Sequence, residues 1–222
     1  MDGFLLIDKP EGWTSHDVVA YLRKITGIRR IGHAGTLDPF ATGLLVVGVG
    51  SATKNLATVA GLEKEYIATL RFGAVSDTDD RTGKITQLQN PPTVEENQLR
   101  ETLTSFIGEI EQIPPMYSAK KIGGRKLYEL ARRGETIERR PARVIIKKIE
   151  LVEAALPKRA VIKVVCGGGT YIRALAKDIG QALGTGAYLE ELRRTRIGPY
   201  RVEEAHNPRS LTLRPDLFLP PQ

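Results

Sequence analysis

The sequence predicts an α+β fold, a mixed and largely antiparallel sheet flanked by helices. Three observations lead there. Segments of period-two or continuous apolar character are interspersed with segments of helical spacing, yet the two do not alternate regularly as a parallel sheet requires. No internal repeat or low-complexity linker divides the 222 residues, a length that suits one large domain with a small appendage at most. No nucleotide-binding fingerprint marks a doubly wound sheet: Gly167, Gly168 and Gly169 lack both the required spacing and the following lysine.

The elements follow in order. Gly3 to Ile7 reads as a short strand. Asp17 to Thr26 places Val18, Leu22 and Ile25 at helical spacing, with Thr14 or Ser15 as the cap. Leu44 to Val49 is a continuous apolar run between glycines, the pattern of a buried strand. Glu65 to Phe72 alternates Tyr66, Ala68, Leu70 and Phe72, which predicts a half-buried strand. Ser76 to Lys84 is polar and reads as a solvated loop. Its Asp77, Asp79 and Asp80 resemble a calcium loop superficially, but the position of Gly83 and the missing late Glu break that motif. A helix is expected over Glu95 to Ile107 and another over Arg125 to Gly134. Val144 to Val152 and Ala160 to Val165 read as paired strands. Thr170 to Leu183 is a strong helix with Ile172, Leu175, Ile179 and Leu183 on one face, and Ala187 to Arg194 a shorter one.

Composition narrows the classes. Hydrophobic residues make up 41% and charged residues 27%, as in ordinary globular proteins. No apolar run approaches the roughly 20 residues of a membrane helix. The N-terminus has neither the positive charge nor the apolar core of a secretory signal, so a cytoplasmic protein with no membrane association is expected. Cys166 is the only cysteine, which rules out an internal disulfide and a multi-cysteine zinc site. Net charge is +7, and its distribution is uneven. Lys120 to Lys148 holds eleven cations against three anions, a net +8, so the rest of the chain is close to neutral. Charge so localised points to a polyanionic partner more than to a solubility device.

Two segments could carry chemistry. Gly32-His33-Ala34-Gly35-Thr36-Leu37-Asp38-Pro39-Phe40-Ala41-Thr42-Gly43 surrounds one carboxylate and one histidine with small and turn-forming residues. Pro39 biases Asp38 toward an extended backbone, displaying its side chain from a stiff loop. Taken alone, such an aspartate is usually a turn former and such a histidine usually structural. His16, His33 and His206 lie far apart, and no metal-ligand spacing occurs. In the second segment, Cys166 to Leu175, an apolar strand runs through glycines into a helix. Thr170 is the expected N-cap, with Tyr171 and Arg173 in the first turn. A cation at the positive end of a helix is disfavoured unless an anion faces it; Asp38 would suit.

GHAGTLDPFATG resembles the catalytic signature of the TruB family, bacterial synthases that make pseudouridine at position 55 of transfer RNA. Further blocks resemble the family in order: Leu6 to Ser15 its opening Lys-Pro motif, and Lys64-Glu65-Tyr66 its catalytic-tyrosine strand. Ile113 to Lys121, followed by Leu127 to Arg132, is similar to its thumb insertion. Gly169-Thr170-Tyr171-Ile172-Arg173 and Leu192 to Gly198 complete the set. The blocks span residues 3 to about 200. Ala34 and Phe40 depart from residues common in the family, Thr and Leu.

The resemblance implies a pseudouridine-synthase fold over residues 1–203, a basic thumb-like insertion at about 112–143, and a short tail over 204–222 with no room for the RNA-binding PUA-type domain that relatives commonly carry. It implies that Asp38 is the nucleophile, at C1′ or C6 of the uridine, or else removes a sugar proton. Tyr66 would stack on the base and assist proton transfer, and Arg173 would pair with Asp38. Tyr171 and Leu192 would line the uridine pocket, and His33 would fill space left by the flipped nucleotide. Lys120, Lys121, Arg125, Lys126, Arg132 and Arg133 would hold RNA backbone. The implied partner is the T stem-loop of transfer RNA, with no obligate protein partner. No cofactor or metal is implied, because breaking C1′–N1, turning the base and rejoining C1′ to C5 oxidises nothing and releases nothing. Three alternatives remain at this level: a catalytic subunit of a guide-RNA particle, a non-catalytic RNA-binding protein, and a phosphate-binding nucleotidase.

Overall fold

The computed structural model describes residues 2–118, 121, 122, 125–127, 130, 133, 135 and 137–220. The chain divides into two compact units, Met1–Ile67 with Leu192–Gln222, and Ala68–Glu191.

The first unit is built on β1 (Gly3–Lys9), β2 (Ile31–Ala34) and β3 (Thr42–Val49). β1 pairs antiparallel with β3 from Gly3↔Val49 to Lys9↔Gly43, and β2 pairs antiparallel with the far half of β3. The apolar run of β3 has a simple cause: both of its faces are covered. Leu44 and Val46 join Phe4, Leu6, Val59 and Ile197 in one core cluster. Leu45, Val47 and Val49 join Leu5, Ile7, Val18, Val19 and Leu22 in another. Val18, Val19 and Leu22 come from α1 (Ser15–Thr26). Between Thr14 and Ser15, the two caps the sequence leaves open, the structure selects Thr14. Its hydroxyl accepts from the Asp17 N–H at 3.0 Å, and the Asp17 carboxylate accepts from the Thr14 N–H at 2.8 Å, a reciprocal capping box.

A short 3₁₀ turn (Gly50–Asn55) and α2 (Leu56–Gly61) lead to β4 (Lys64–Phe72), which runs through both units. In β4 Tyr66, Ala68, Leu70 and Phe72 are buried, as the alternation predicts. Residues 204–220, expected as a tail, pack on the first unit. Phe4 and Leu219 exchange backbone hydrogen bonds of 2.7 and 2.8 Å, and the His206 N–H donates to Leu6 O at 3.0 Å. Leu211, Leu217 and Phe218 lie against one core cluster and Ala205 and Leu219 against the other.

In the second unit the strand order is β4, β11, β10, β7. β7 is Gly108–Gln112, β10 Ala142–Ala155 and β11 Arg159–Cys166; β10 pairs antiparallel with both neighbours. Two short antiparallel pairs accompany them, β5 (Ala74–Ser76) with β6 (Ile85–Gln87) and β8 (Lys121–Ile122) with β9 (Arg125–Lys126). α3 (Glu96–Ser105) buries Leu99 and Leu103, and α4 (Ile172–Ala182) buries Ile172, Leu175 and Ile179. The helix expected over Arg125 to Gly134 opens instead on the strand β9; Leu127 and Leu130 are helical as expected, and most of the remainder lies outside the described residues.

One expected helix is a strand. Ala187 to Arg194 belongs to β12 (Ala187–Ile197), which like β4 runs through both units. In the first unit it lies parallel to β3 at Arg193↔Thr42 and Arg194↔Gly43, and β13 (Tyr200–Arg201) pairs antiparallel with it. Glu-Glu-Leu-Arg-Arg favours helix by propensity, but tertiary pairing overrides it. Gly43 makes the close approach possible: its φ is +102°, and a Cβ there would run into the carbonyl oxygen of Arg194.

Candidate active site

The first unit supplies the loop that carries Asp38, between β2 and β3. Polar ties hold it on both sides of the aspartate. The Leu37 N–H donates to Ser15 Oγ at 2.9 Å, and the Gly12 N–H donates to Pro39 O at 2.8 Å. Lys9, fully buried at the end of β1, aims its ammonium at Pro39 O (3.2 Å), Pro10 O (3.0 Å) and Trp13 O (2.5 Å). Burial pushes Lys9 down to about 8, against the attraction of Asp38 and with the help of Arg194. Thus the Lys-Pro segment and the Asp38 loop are one assembly. Phe40 and Ala41 behind it are buried, while Asp38 itself is only half-buried.

Arg194 braces the same loop from β12. It is 1% exposed, donating from Nε to Leu44 O at 2.8 Å and from Nη2 to Gly35 O at 3.0 Å. Its charge, second to burial, pushes the His33 imidazole below its ordinary value, so His33 is neutral near pH 7. The Nδ1 of His33 is buried without a hydrogen-bond partner among the described residues. Tyr66 on β4 is 6% exposed and Leu192 on β12 is 7% exposed. Their strand segments are fastened together in this unit: Arg196 Nη2 donates to Glu63 Oε1 at 2.6 Å, and the Thr195 hydroxyl to Glu65 Oε1 at 2.8 Å.

The second unit supplies Tyr171 and Arg173 at the start of α4. Thr170, the expected cap, instead donates its hydroxyl to Gly167 O at 3.0 Å. Tyr171 is the N-cap, and its N–H is taken by Gln112 Oε1 at 3.1 Å. Arg173 is 3% exposed. An anion does face it: Asp80 Oδ2 lies 3.3 Å from its Nη1, with both side chains 4% exposed. The guanidinium also donates to Thr78 O at 3.0 Å and to Tyr117 O at 2.8 Å. The other oxygen of Asp80 accepts from the Thr82 N–H (2.8 Å) and from the hydroxyls of Thr82 (2.5 Å) and Thr78 (2.9 Å). Ser76 to Lys84 is therefore only in part the solvated loop its composition suggests: Asp77, Thr82 and Lys84 are exposed, but Ser76 and Asp80 are buried. The carboxylate has exchanged water for a guanidinium and three donors.

Among the expected thumb cations, Arg133 is exposed. Lys120 and Arg132 lie outside the described residues, and Lys121, Arg125 and Lys126 are described by their strands alone. No group of three or more His, Cys, Asp or Glu able to hold a metal occurs among the described residues. No helix among them is long and apolar enough to cross a membrane. Sequence reasoning missed Lys9, Asp80 and Arg194. Lys9 had a signal in the Lys-Pro motif, whereas Asp80 and Arg194 looked like surface charges.

A braced aspartate loop on a largely antiparallel α+β scaffold defines a class, and similarity to known proteins makes it specific. Residues 23–172 match the family model for the TruB family pseudouridylate synthase (N terminal domain), and residues 173–213 that for the tRNA pseudouridylate synthase B C-terminal domain. The chain belongs to the TruB family of pseudouridylate synthases. It is 47% identical over 210 residues to the tRNA pseudouridine synthase B of Leifsonia xyli, covering 92% of this chain and 70% of that protein. It is 49% identical over 207 residues to that of Bordetella avium, covering 92% and 84%. Among solved structures it is similar to a chain of an H/ACA RNP bound to a substrate RNA containing 2′-deoxyuridine, with TM-score 0.71 and 30% identity. A Cbf5-Nop10-Gar1 complex matches with TM-score 0.72 and 33% identity. The matches cover 94% and 92% of this chain but only 52% of each of those chains, so this chain spans about half their length.

Proposed function

We propose that this protein isomerises uridine to pseudouridine at position 55, in the T loop of transfer RNA, without metal or organic cofactor. The supporting observation is the braced Asp38 loop: a half-buried carboxylate whose backbone is held by Ser15, Gly12 and Lys9. A carboxylate fixed in this way can serve as a nucleophile toward C1′ or C6, or as a base toward a sugar proton, with little reorganisation. Arg173 pairs with Asp38 in the reacting complex and keeps it ionised, while Asp80 holds the guanidinium in place. The target uridine must leave its stack, at a cost of a few kcal/mol. Stacking on Tyr66 and contact with Tyr171 and Leu192 offset that cost. His33 fills the vacated space, where its unpartnered Nδ1 meets an RNA donor or acceptor. The thumb cations Lys120, Lys121, Arg125, Lys126, Arg132 and Arg133 attract phosphates whatever the sequence.

The protein works in the cytoplasm and needs no protein partner. The relatives named tRNA pseudouridine synthase B, at 47 and 49% identity, favour that reading over a subunit of a guide-RNA particle, for which the neighbours are 30 and 33% identical. The test is to incubate the purified protein with an unmodified transfer RNA transcript and map pseudouridine. Product at position 55, with none in a transcript carrying another base there, is the expected result. Absence of product under conditions where the transcript binds would overturn it.

A further inference from the structure

We infer that a second basic face, at the opposite end of β2 and β3 from the Asp38 loop, takes backbone phosphates of the RNA substrate; the inference rests on the reading above. Arg23, Lys24, Arg29, Arg30 and Lys54 are all exposed. Three hydrogen bonds bring their segments together. The Gly50 N–H donates to Arg30 O at 2.8 Å, Arg30 Nε donates to Thr53 Oγ1 at 2.8 Å, and Arg23 Nη2 donates to Ile31 O at 2.8 Å. Thr53 is itself held, donating its hydroxyl to Gly50 O at 2.8 Å. The carboxylate beside them, Asp2, is turned to the N–H and hydroxyl of Ser51, both at 2.6 Å.

The ordinary explanation of cations near a helix C-terminus is the macrodipole, and it covers Arg23 and Lys24 in the last turn of α1. It does not cover Arg29 and Arg30, which lie beyond the helix. Lys24, Arg29 and Lys54 have no ion-pair partner among the described residues, so their charges remain available to a ligand. The eight residues of β3 separate this face from the Asp38 loop by about 23 Å at roughly 3.3 Å per residue. That is too far for the reacting nucleotide and suited to backbone several nucleotides away. Such contacts carry no sequence information; they add affinity and fix register.

The triple variant Lys24→Gln, Arg29→Gln, Lys54→Gln tests this. None of the three side chains takes part in the Asp38 assembly. On an unmodified transfer RNA transcript the variant should lose about two units of log–log salt slope and about tenfold in affinity at 0.1 M salt. Its single-turnover rate at saturating protein should stay at the wild-type value. A control removes the same charge at exposed Lys84, Lys158 and Arg201 and should keep the wild-type slope. An unchanged slope in the triple variant, an equal loss in the control, or a fall in the saturated rate would each overturn the inference. Pseudouridine mapping of the wild-type reaction in the same tubes reports separately on the enzymatic reading.

Discussion

Asp38 stands between two backbone anchors, the Leu37 N–H on Ser15 and Pro39 O on Gly12 and Lys9, so its carboxylate is aimed by the residues on either side of it. Asp80 has the corresponding relation to Arg173. Removing one member of a buried ion pair strands the other charge, at about 3 kcal/mol or more. Asp80→Asn keeps the shape and leaves Arg173 its carbonyl acceptors, so its cost should be smaller. We expect a measurable fall in melting temperature, and a saturated single-turnover rate that drops far more than RNA affinity. A variant that bound weakly but turned over normally would mean that Asp80 acts on RNA and not through Arg173. His33 gives a pH dependence. Its folded value lies below the ordinary 6.5 because of burial and Arg194. As pH falls, the unfolded chain therefore takes up the proton first, and folding stability declines through and below 6.5. Thermal melts from about pH 7.5 to about pH 5.5 should show this decline, and His33→Asn should flatten it.

At the scale of elements, α1 forms because a capping box starts it, Gly27 in the left-handed region stops it, and Val18, Val19 and Leu22 bury one stripe. Thr14→Ala removes the side-chain half of the box and should cost about 1 kcal/mol, measurable by denaturant melting. Local signals of this kind made α1, β3, β4, α3 and the β10–β11 pair legible in the sequence. Two of the misreadings, at Arg194 and Asp80, share a cause, buried charge. Arg194 points into the first unit with Leu192 two residues before it, a period-two pattern that stays invisible while arginine is assumed to face water. Asp80 was hidden in the same way inside an acidic segment. The cap of α4 lies one residue past the expected Thr170, whose hydroxyl donates to Gly167 O, while Gln112, distant in sequence, takes the Tyr171 N–H. The Asp38 loop was legible as a motif, but its bracing by Lys9 was not, since spacing cannot show which carbonyls converge on an ammonium.

For the whole molecule, the residues after β13 complete the first unit, since Leu211, Leu217 and Phe218 pack on one core cluster and Leu219 on the other. Phe218→Ala should therefore destabilise the protein by about 2 kcal/mol, less than a fully buried phenylalanine because this ring is only half-buried. An unchanged melting temperature would show that the segment merely lies on the surface. The central claim is that one braced carboxylate performs the isomerisation while the rest of the molecule binds and positions RNA. Asp38→Asn keeps the shape and removes the charge. The most direct measurement is its single-turnover conversion of an unmodified transfer RNA transcript at saturating protein, beside its affinity for the same RNA. The account predicts no detectable pseudouridine, with affinity within about threefold of wild type, a difference under roughly 0.7 kcal/mol. Substantial turnover by Asp38→Asn would contradict it.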